Sequence, residues 1–572
     1  MLGAVSVLLA ASPLVTLFIV KYLVDNITVL ATARSGALSW VSAIWVPITA
    51  YFLVNVIADS AETLQLLQIS TLRDQIGFEV ENRTVTKTLS HHDLGIFDRP
   101  EIKKLLTLAT DATAHGQYLV QLLSNLATGI LLAGPTLFIA ASLGGWIPLL
   151  VLATTIPATL MQLRYERKAW DVEAAHVDLN NRAQQLRAAM LSPRYGGDIR
   201  AHLMHAKLLP RWQSQMRSLL AARRTVRNRG TVLVLLLAIL SGTGLLVPYG
   251  FVIAQAIAGN ISLGTLALFI GLIPELRRSL FVVCANAGEV TGAARQLTAL
   301  WKFEDTAPAV VLDPLRDTAR SCAATPPAPA ITFNRVSFSY SPSGPSAISD
   351  VNLVMPAGST TLLVGENGTG KTTLAKLLCR FYDPTSGSIT VDGVDLRSID
   401  ILDFRHRTAV LMQDPARLPM SVRSCLSPAT AAVSDTAIAD ALRDVGLLDE
   451  IERTPHGLDT ELSTSLNSGI DLSGGQWQRL AVARLLLHIP HSSLAVIDEP
   501  TTALDPTADR NLSDLILDRC AEMTTLIISH RLHFASHVTQ VALTAHGCPL
   551  AVGAHDEFIE TNATYRQMLA IS

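Results

Sequence analysis

Residues 365 to 373 read Gly365-Glu366-Asn367-Gly368-Thr369-Gly370-Lys371-Thr372-Thr373. Glycines at that spacing ahead of a Lys-Thr pair suit the holding of phosphate. Leu362, Leu363 and Val364 form an apolar strand before them, the glycines turn, and a helix opens at Lys371. A turn of that kind aims successive backbone N–H groups at an anion, and the helix N-terminus adds positive potential. Lys371 would reach the β- and γ-phosphates of a nucleoside triphosphate, and the Thr372 hydroxyl would ligate Mg2+. A Gly-rich turn that matches by chance is rejected, because every fixed position of this P-loop is present and both flanking elements are of the required kind. Alone, the string says only that a nucleotide binds.

A hundred residues later comes Leu472-Ser473-Gly474-Gly475-Gln476. Its logic is also phosphate binding: a Ser hydroxyl and two Gly N–H groups open a helix from Trp477 to Leu487, at its anion-binding end. This string resembles the signature sequence of ATP-binding-cassette (ABC) ATPases, and further strings follow in the order that family has. The apolar Ser493-Leu494-Ala495-Val496-Ile497 ends in Asp498 and Glu499. The resemblance gives Asp498 the holding of Mg2+, usually through water, and Glu499 the role of general base on the attacking water. Two acids ending a strand could be a solvated turn, a reading set aside because of the P-loop upstream. Ala503-Leu504-Asp505 matches the D-loop, His530 the switch histidine beside the γ-phosphate, and Gln413 the glutamine that senses Mg2+. Tyr340 matches the aromatic that stacks on adenine, although β-propensity alone also puts a Tyr at a strand end. In the family the signature of one cassette closes over ATP on the P-loop of another. One P-loop and one signature therefore imply half of a dimer, a homodimer most simply, with a different partner half left open. One departure is the segment Ser463 to Asp471, which lacks the acidic-Gly pattern common in exporter cassettes.

These residues need a scaffold, and the composition indicates which. Apolar residues make up 49% of the chain and charged ones 16%, against about 25% charge in soluble chains. The deficit falls in the first 300 residues and points to a lipid bilayer. A net charge of −3 gives no argument for nucleic acid. The six cysteines are scattered, without metal spacing. No cleavable signal peptide is expected.

A span needs about 20 apolar residues. Six are expected, over Leu2 to Leu23, Ala37 to Ile57, Leu119 to Ala141, Trp146 to Met161, Thr231 to Ala256 and Leu263 to Ala285. Lys and Arg crowd the second-to-third and fourth-to-fifth connections, which are therefore cytoplasmic. Both read as helices that run on from the membrane and turn at Pro and Gly, near 90–102 and 192–204. Six spans with two long cytoplasmic hairpins resemble the membrane domain of ABC exporters. The expected fold class is thus an all-α six-helix membrane domain over 1–304, a Pro-rich linker over 305–329 and an α/β P-loop nucleotide-binding domain over 330–572. In the family a cytoplasmic helix usually precedes the first span. Here the chain starts inside that span, so a truncated or misassigned start is expected. The expected location is the cytoplasmic membrane, multi-pass, with the cassette in the cytoplasm.

Glu275, Arg277 and Arg278 lie inside the sixth expected span, and charges there are functional candidates. Either they line a cargo cavity, or Glu275 pairs with Arg278 at an interface while Arg277 snorkels. The interface reading is the preferred one. Trp477 directly after the signature is similar to a subgroup of bacterial peptide exporters, though a helical Trp is more often simply packed. The resemblance as a whole implies ATP-driven export of a peptide, drug-like or lipid-like molecule by alternating access. The alternatives are an importer built on the exporter fold, as for siderophores, and an ATP-gated channel or sensor. An intact Glu499 counts against the last.

Overall fold

The computed structural model describes all residues except 1, 33–36, 176, 308–326, 342–343, 428–432, 465–468, 501–505, 545–549 and 572. Two compact units emerge. One holds Met1–Thr86 and Leu105–Asp305, the other Lys87–Lys104 and Thr306–Ser572. Most of the expected linker lies outside the described residues.

The first unit is helical. Its helices are Leu2–Thr32, Ala37–Ser90, Pro100–Leu143, Trp146–Ala175, Val177–Leu191, Pro193–Ala201, His205–Gly244, Leu246–Ile257 and Leu263–Glu304, the second and third crossing the unit boundary. Among the described residues, four stretches are long and apolar enough to cross a membrane: Leu2–Val29, Ala43–Ser90, Gly116–Leu143 and Thr231–Ile257. The expected fourth span, Trp146–Met161, is apolar but shorter. The expected sixth lies within Leu263–Glu304, whose apolar run is interrupted by Glu275, Arg277 and Arg278. The fifth is divided at Leu245, between two helices. Helix Leu263–Glu304 packs on Leu2–Thr32 and on Trp146–Ala175. Its Leu272, Ile273 and Leu276 are fully buried with Ile147 and Val151. Gly271 permits the close approach of the first helix, since a Cβ there would lie 2.2 Å from Leu17 Cδ2.

The second unit is α/β. Its strands are β1 (Ile331–Phe338), β2 (Ile348–Met355), β3 (Thr360–Gly365), β4 (Ser386–Val391), β5 (Val394–Asp395), β6 (Thr408–Leu411), β7 (Leu494–Asp498), β8 (Thr524–Ile528), β9 (Gln540–Thr544) and β10 (Ala551–Gly553). A small antiparallel sheet has the order β2-β1-β4-β5, and a larger one β10-β9-β3-β8-β7-β6. From β9 to β6 the larger sheet is parallel. Parallel strands are covered on both faces and read as continuous apolar runs. Accordingly Leu494 to Asp498 and Thr524 to Ile528 are buried at every position.

The cassette also carries the turn of the first long hairpin. A short helix, Gly95–Asp98, follows Leu94, whose N–H donates to the Phe381 carbonyl at 3.1 Å. The Tyr382 hydroxyl donates to Asp98, and Arg405 Nη2 donates to the His92 carbonyl at 2.8 Å. The Arg405 guanidinium also lies over the Phe381 ring, 4.9 Å from its centroid. This turn lies between helices Ala37–Ser90 and Pro100–Leu143. The other expected turn contains helix Pro193–Ala201, in the first unit.

Candidate functional site

Four segments of the site follow the C-terminal ends of parallel strands, where open α/β sheets place their ligands. The P-loop leaves β3, Gln413 follows β6, Asp498 ends β7 and Glu499 comes after it, and His530 follows β8. Register carries these ends to one edge: Leu363 pairs with Ile528, Asp498 with Ile528 and Leu411 with Ile497.

The P-loop turns as its glycines require. Gly370 caps helix Lys371–Leu378 at φ 91°, and a Cβ there would sit 2.3 Å from Ile348 Cγ2. Gly365 is buried at the end of β3, and Glu366, Asn367 and Gly368 are exposed. The Thr369 hydroxyl donates to the Glu366 carbonyl at 2.9 Å and is 2.7 Å from the Thr544 hydroxyl. Thr544 was not singled out by sequence; it supports the loop from β9. Lys371 is buried, and its Nζ donates to the carbonyls of Gly365 and Glu366, each at 2.8 Å. Burial lowers its pKa, while Glu499 and Asp498 act the other way.

Asp498 is fully buried, and among the described residues neither carboxylate oxygen has a hydrogen bond of full geometry, the Thr372 hydroxyl being the side chain that acts on it. Burial pushes its carboxyl up to about 6, offset by Thr372 and Lys371 among its neighbours. A buried carboxylate beside a Thr hydroxyl fits a divalent cation. Among the described residues no three His, Cys, Asp or Glu side chains cluster to hold a metal. The protein donors for Mg2+ would therefore be few, namely Thr372, Asp498 and Gln413, with phosphate oxygens completing the set.

Glu499 is the centre of the site. Its Oε2 accepts from Gln413 Nε2 at 3.0 Å, and its Oε1 is 2.9 Å from His530 Nε2. Three residues drawn from separate segments of the sequence thus meet at one carboxylate. The backbone of Glu499 has φ 51°, a left-handed conformation costly for a residue with a Cβ. Its N–H donates to the Ile528 carbonyl at 2.9 Å. Gln478 holds the other side, donating to the carbonyls of Glu499 at 3.2 Å and Pro500 at 2.9 Å. Sequence reasoning missed Gln478. Its only signal is a polar residue buried between Trp477 and Leu480 on an apolar helix face.

The signature opens helix Gly474–His488 with a capping box: Ser473 Oγ accepts from Gln476 N–H, and the Gln476 side chain accepts from Ser473 N–H. Gln476 also donates to Glu450. Ser473 and Gly474 are exposed and Gly475 is half-buried. Trp477 is buried in the cassette core, its Nε1 donating to Asp471 at 3.1 Å, which is the packed reading. The Tyr340 hydroxyl is 3.0 Å from that of Thr373, and its ring meets the Phe338 and Tyr382 rings edge-on. The D-loop residue Asp505 lies outside the described residues.

In the helical unit, Glu275 and Arg278 approach to 4.0 Å. Arg277 is half-buried, and a Cβ on Gly242 would lie 4.0 Å from its Nη1. A further ionisable residue on that helix, Glu289, accepts from the Tyr118 hydroxyl at 2.7 Å.

Comparison with known proteins bears on both units. Residues 348–502 match the family model described as ABC transporter. A multidrug efflux ATP-binding/permease protein of Mycobacterium tuberculosis is 35% identical over 240 residues, 42% of this chain and 20% of the relative. An ATP-dependent lipid A-core flippase of Alcanivorax borkumensis is 34% identical over 280 residues, 49% of this chain and 45% of the relative. A mycobactin import ATP-binding/permease protein of Mycolicibacterium thermoresistibile is 36% identical over 236 residues, 41% and 25%. The matched regions span between 20% and 53% of the curated relatives' lengths. A solved structure of a bacterial Atm1-family ABC exporter with ATP bound is similar at TM-score 0.79 and 19% identity, covering 99% of this chain and 98% of that one. The chain has the fold of an ABC exporter, a helical membrane unit followed by an ABC transporter cassette.

Proposed function

We propose that this chain is one half of a dimeric ABC exporter, which uses ATP hydrolysis to move a peptide, drug-like or lipid-like molecule across the cytoplasmic membrane. The observation that carries this reading is the Glu499 carboxylate held between Gln413 and His530, beside the buried Asp498.

ATP on the P-loop would be cradled by the backbone from Gly365 to Gly370, with Thr373 one turn into the helix. Its phosphates compete with the Gly365 and Glu366 carbonyls for the Lys371 ammonium. Tyr340, already tied to Thr373, would offer its ring to adenine. Thr372, Asp498 and Gln413 would hold Mg2+, which would supply neutralisation of phosphate charge. Glu499 accepts a proton from the attacking water, and its two contacts fix the direction of the accepting lone pair. His530 is half exposed, and from its place beside Glu499 its ring would face a γ-phosphate. Ser473, Gly474, Gly475 and Gln476 would close over the nucleotide of a second copy. Transport follows if cargo affinity differs between inward- and outward-facing states.

The import reading has one observation in its favour, the match to a mycobactin import protein. That match covers 41% of this chain and does not bear on direction. Inside-out vesicles separate the two. ATP-dependent accumulation of probe inside them means export; ATP-dependent loss of preloaded probe means import.

A further inference from the structure

The catalytic arrangement raises a question of restraint. His530 sits in a segment without regular structure after β8, and its ring is 42% exposed, yet it is held 2.9 Å from Glu499. Its neighbour Arg531 donates to Asp509, on helix Pro506–Arg519. Asp509 is 4% exposed. One turn further along that helix, the fully buried Ser513 is 2.9 Å from His533 Nε2. The His533 ring stacks on Phe534, which is fully buried. Arg531 N–H also donates to Ser529 Oγ at 3.0 Å. The segment 529–534 is thus fastened to one face of a helix at two rungs.

We infer that Asp509 and Arg531 are positioning residues, which hold His530 against Glu499. The Asp509 contact anchors Arg531 to helix Pro506–Arg519, and Arg531 is the residue next to His530, which lies 2.9 Å from Glu499. The pair is a clamp because the Asp509 carboxylate is buried, and leaving that charge alone in that place is costly, while Arg531 is partly exposed. Neither residue need touch nucleotide. This inference deepens the hydrolysis reading and rests on it for its kinetic consequence, though not for its structural one.

The test uses the full chain in detergent or nanodiscs, with Asp509→Asn, Arg531→Gln, the double variant and Arg531→Lys. In the kinetic arm kcat for MgATP falls about 10- to 100-fold in each single variant, the range expected when a reacting group is displaced by an ångström. KM for ATP stays within about twofold, since the P-loop is untouched. The double variant, which leaves no buried charge unpaired, is no slower than either single one, as expected of one shared contact. Arg531→Lys recovers part of the loss. A merely structural role would instead lower the thermal midpoint and leave the kcat of the folded fraction alone. The second arm needs no turnover: a structure of the Asp509→Asn/Arg531→Gln chain should show His530 Nε2 out of hydrogen-bond reach of Glu499. If that contact stays near 2.9 Å, or if the two single losses in kcat multiply in the double variant, the inference is overturned. Wild-type chain without ATPase activity would count against the hydrolysis reading, and the structural arm would still decide the clamp.

Discussion

Glu499 stands in a strained backbone conformation, accepts from Gln413 and faces His530. Strain of that kind costs of order 1–3 kcal/mol and persists where surroundings over-determine it; here the Ile528 and Gln478 hydrogen bonds do so. Glu499→Gln keeps the size and much of the hydrogen bonding but loses the basic lone pair. ATP binding should be unchanged while turnover falls by about 10²- to 10⁴-fold, the usual contribution of a positioned general base. Wild-type turnover in purified Glu499→Gln would refute the assignment. Lys371→Ala should act differently. It removes the cation that reaches the phosphates, so ATP affinity itself drops, readable with a fluorescent nucleotide. At this scale the sequence was informative, because the chemistry of phosphate binding and proton abstraction restricts both residue type and local spacing. It was silent on Gln478 and Thr544, whose roles are contacts to backbone and hydroxyl groups far along the chain.

Strands and helices show where legibility stops. The P-loop strand, the apolar run ending in Asp498 and the signature helix were readable, since each is a local pattern of burial and turn residues. The hairpin turn near 90–102 was readable as a turn, from Pro100 and Gly95. The surface that receives it was not, because Tyr382 and Asp98 are 284 residues apart and no periodicity links them. The sixth apolar helix was legible only in part, since the apolar run ends near Ala285 while the helix continues to Glu304, and the break at Leu245 falls between Gly244 and Pro248. The hairpin turn has a pH dependence of its own. His91, at the start of that turn, is buried, and its Nε2 has no hydrogen-bond partner among the described residues. Burial holds its imidazole below the ordinary 6.5, with Asp93 at 4.0 Å pulling upward and Lys87, His92 and Arg99 downward. A lowered pKa in the fold means that the unfolded chain takes up the proton first as pH falls. The contribution of His91 is therefore complete above 6.5 and is lost as pH drops through the lower folded value. Thermal midpoints measured between about pH 7 and pH 5 should decline more steeply in wild type than in His91→Gln. Equal slopes would remove His91 from the account.

For the whole molecule, the composition of the site predicts its assembly. The cassette has one P-loop and one exposed signature cap, and a phosphate-binding helix end turned to solvent is useful only if a second nucleotide meets it. A homodimer is the expected outcome, checked by mass in detergent; a monomer with full ATPase rate would exclude it. The cargo path can be tested against the three charges of helix Leu263–Glu304. Arg278 has 77% of its side chain exposed and stands 4.0 Å from Glu275, the geometry of a loose interface pair worth little energetically. Arg277 differs: it is half-buried, with its Nη1 4.0 Å from where a Cβ on Gly242 would lie, and a cation within a span is a candidate to meet an anionic group. Neutralising Arg278 should leave both basal and probe-stimulated ATPase unchanged. Arg277→Gln should leave basal ATPase intact, because the cassette is untouched, and raise several-fold the concentration of an anionic fluorescent phospholipid needed for half-maximal stimulation. A neutral phospholipid analogue is the control and should respond alike in wild type and variant. If Arg277→Gln changes neither response, the charge only snorkels, and the path for cargo must be sought along other faces of that helix, beginning with Glu289 and its partner Tyr118.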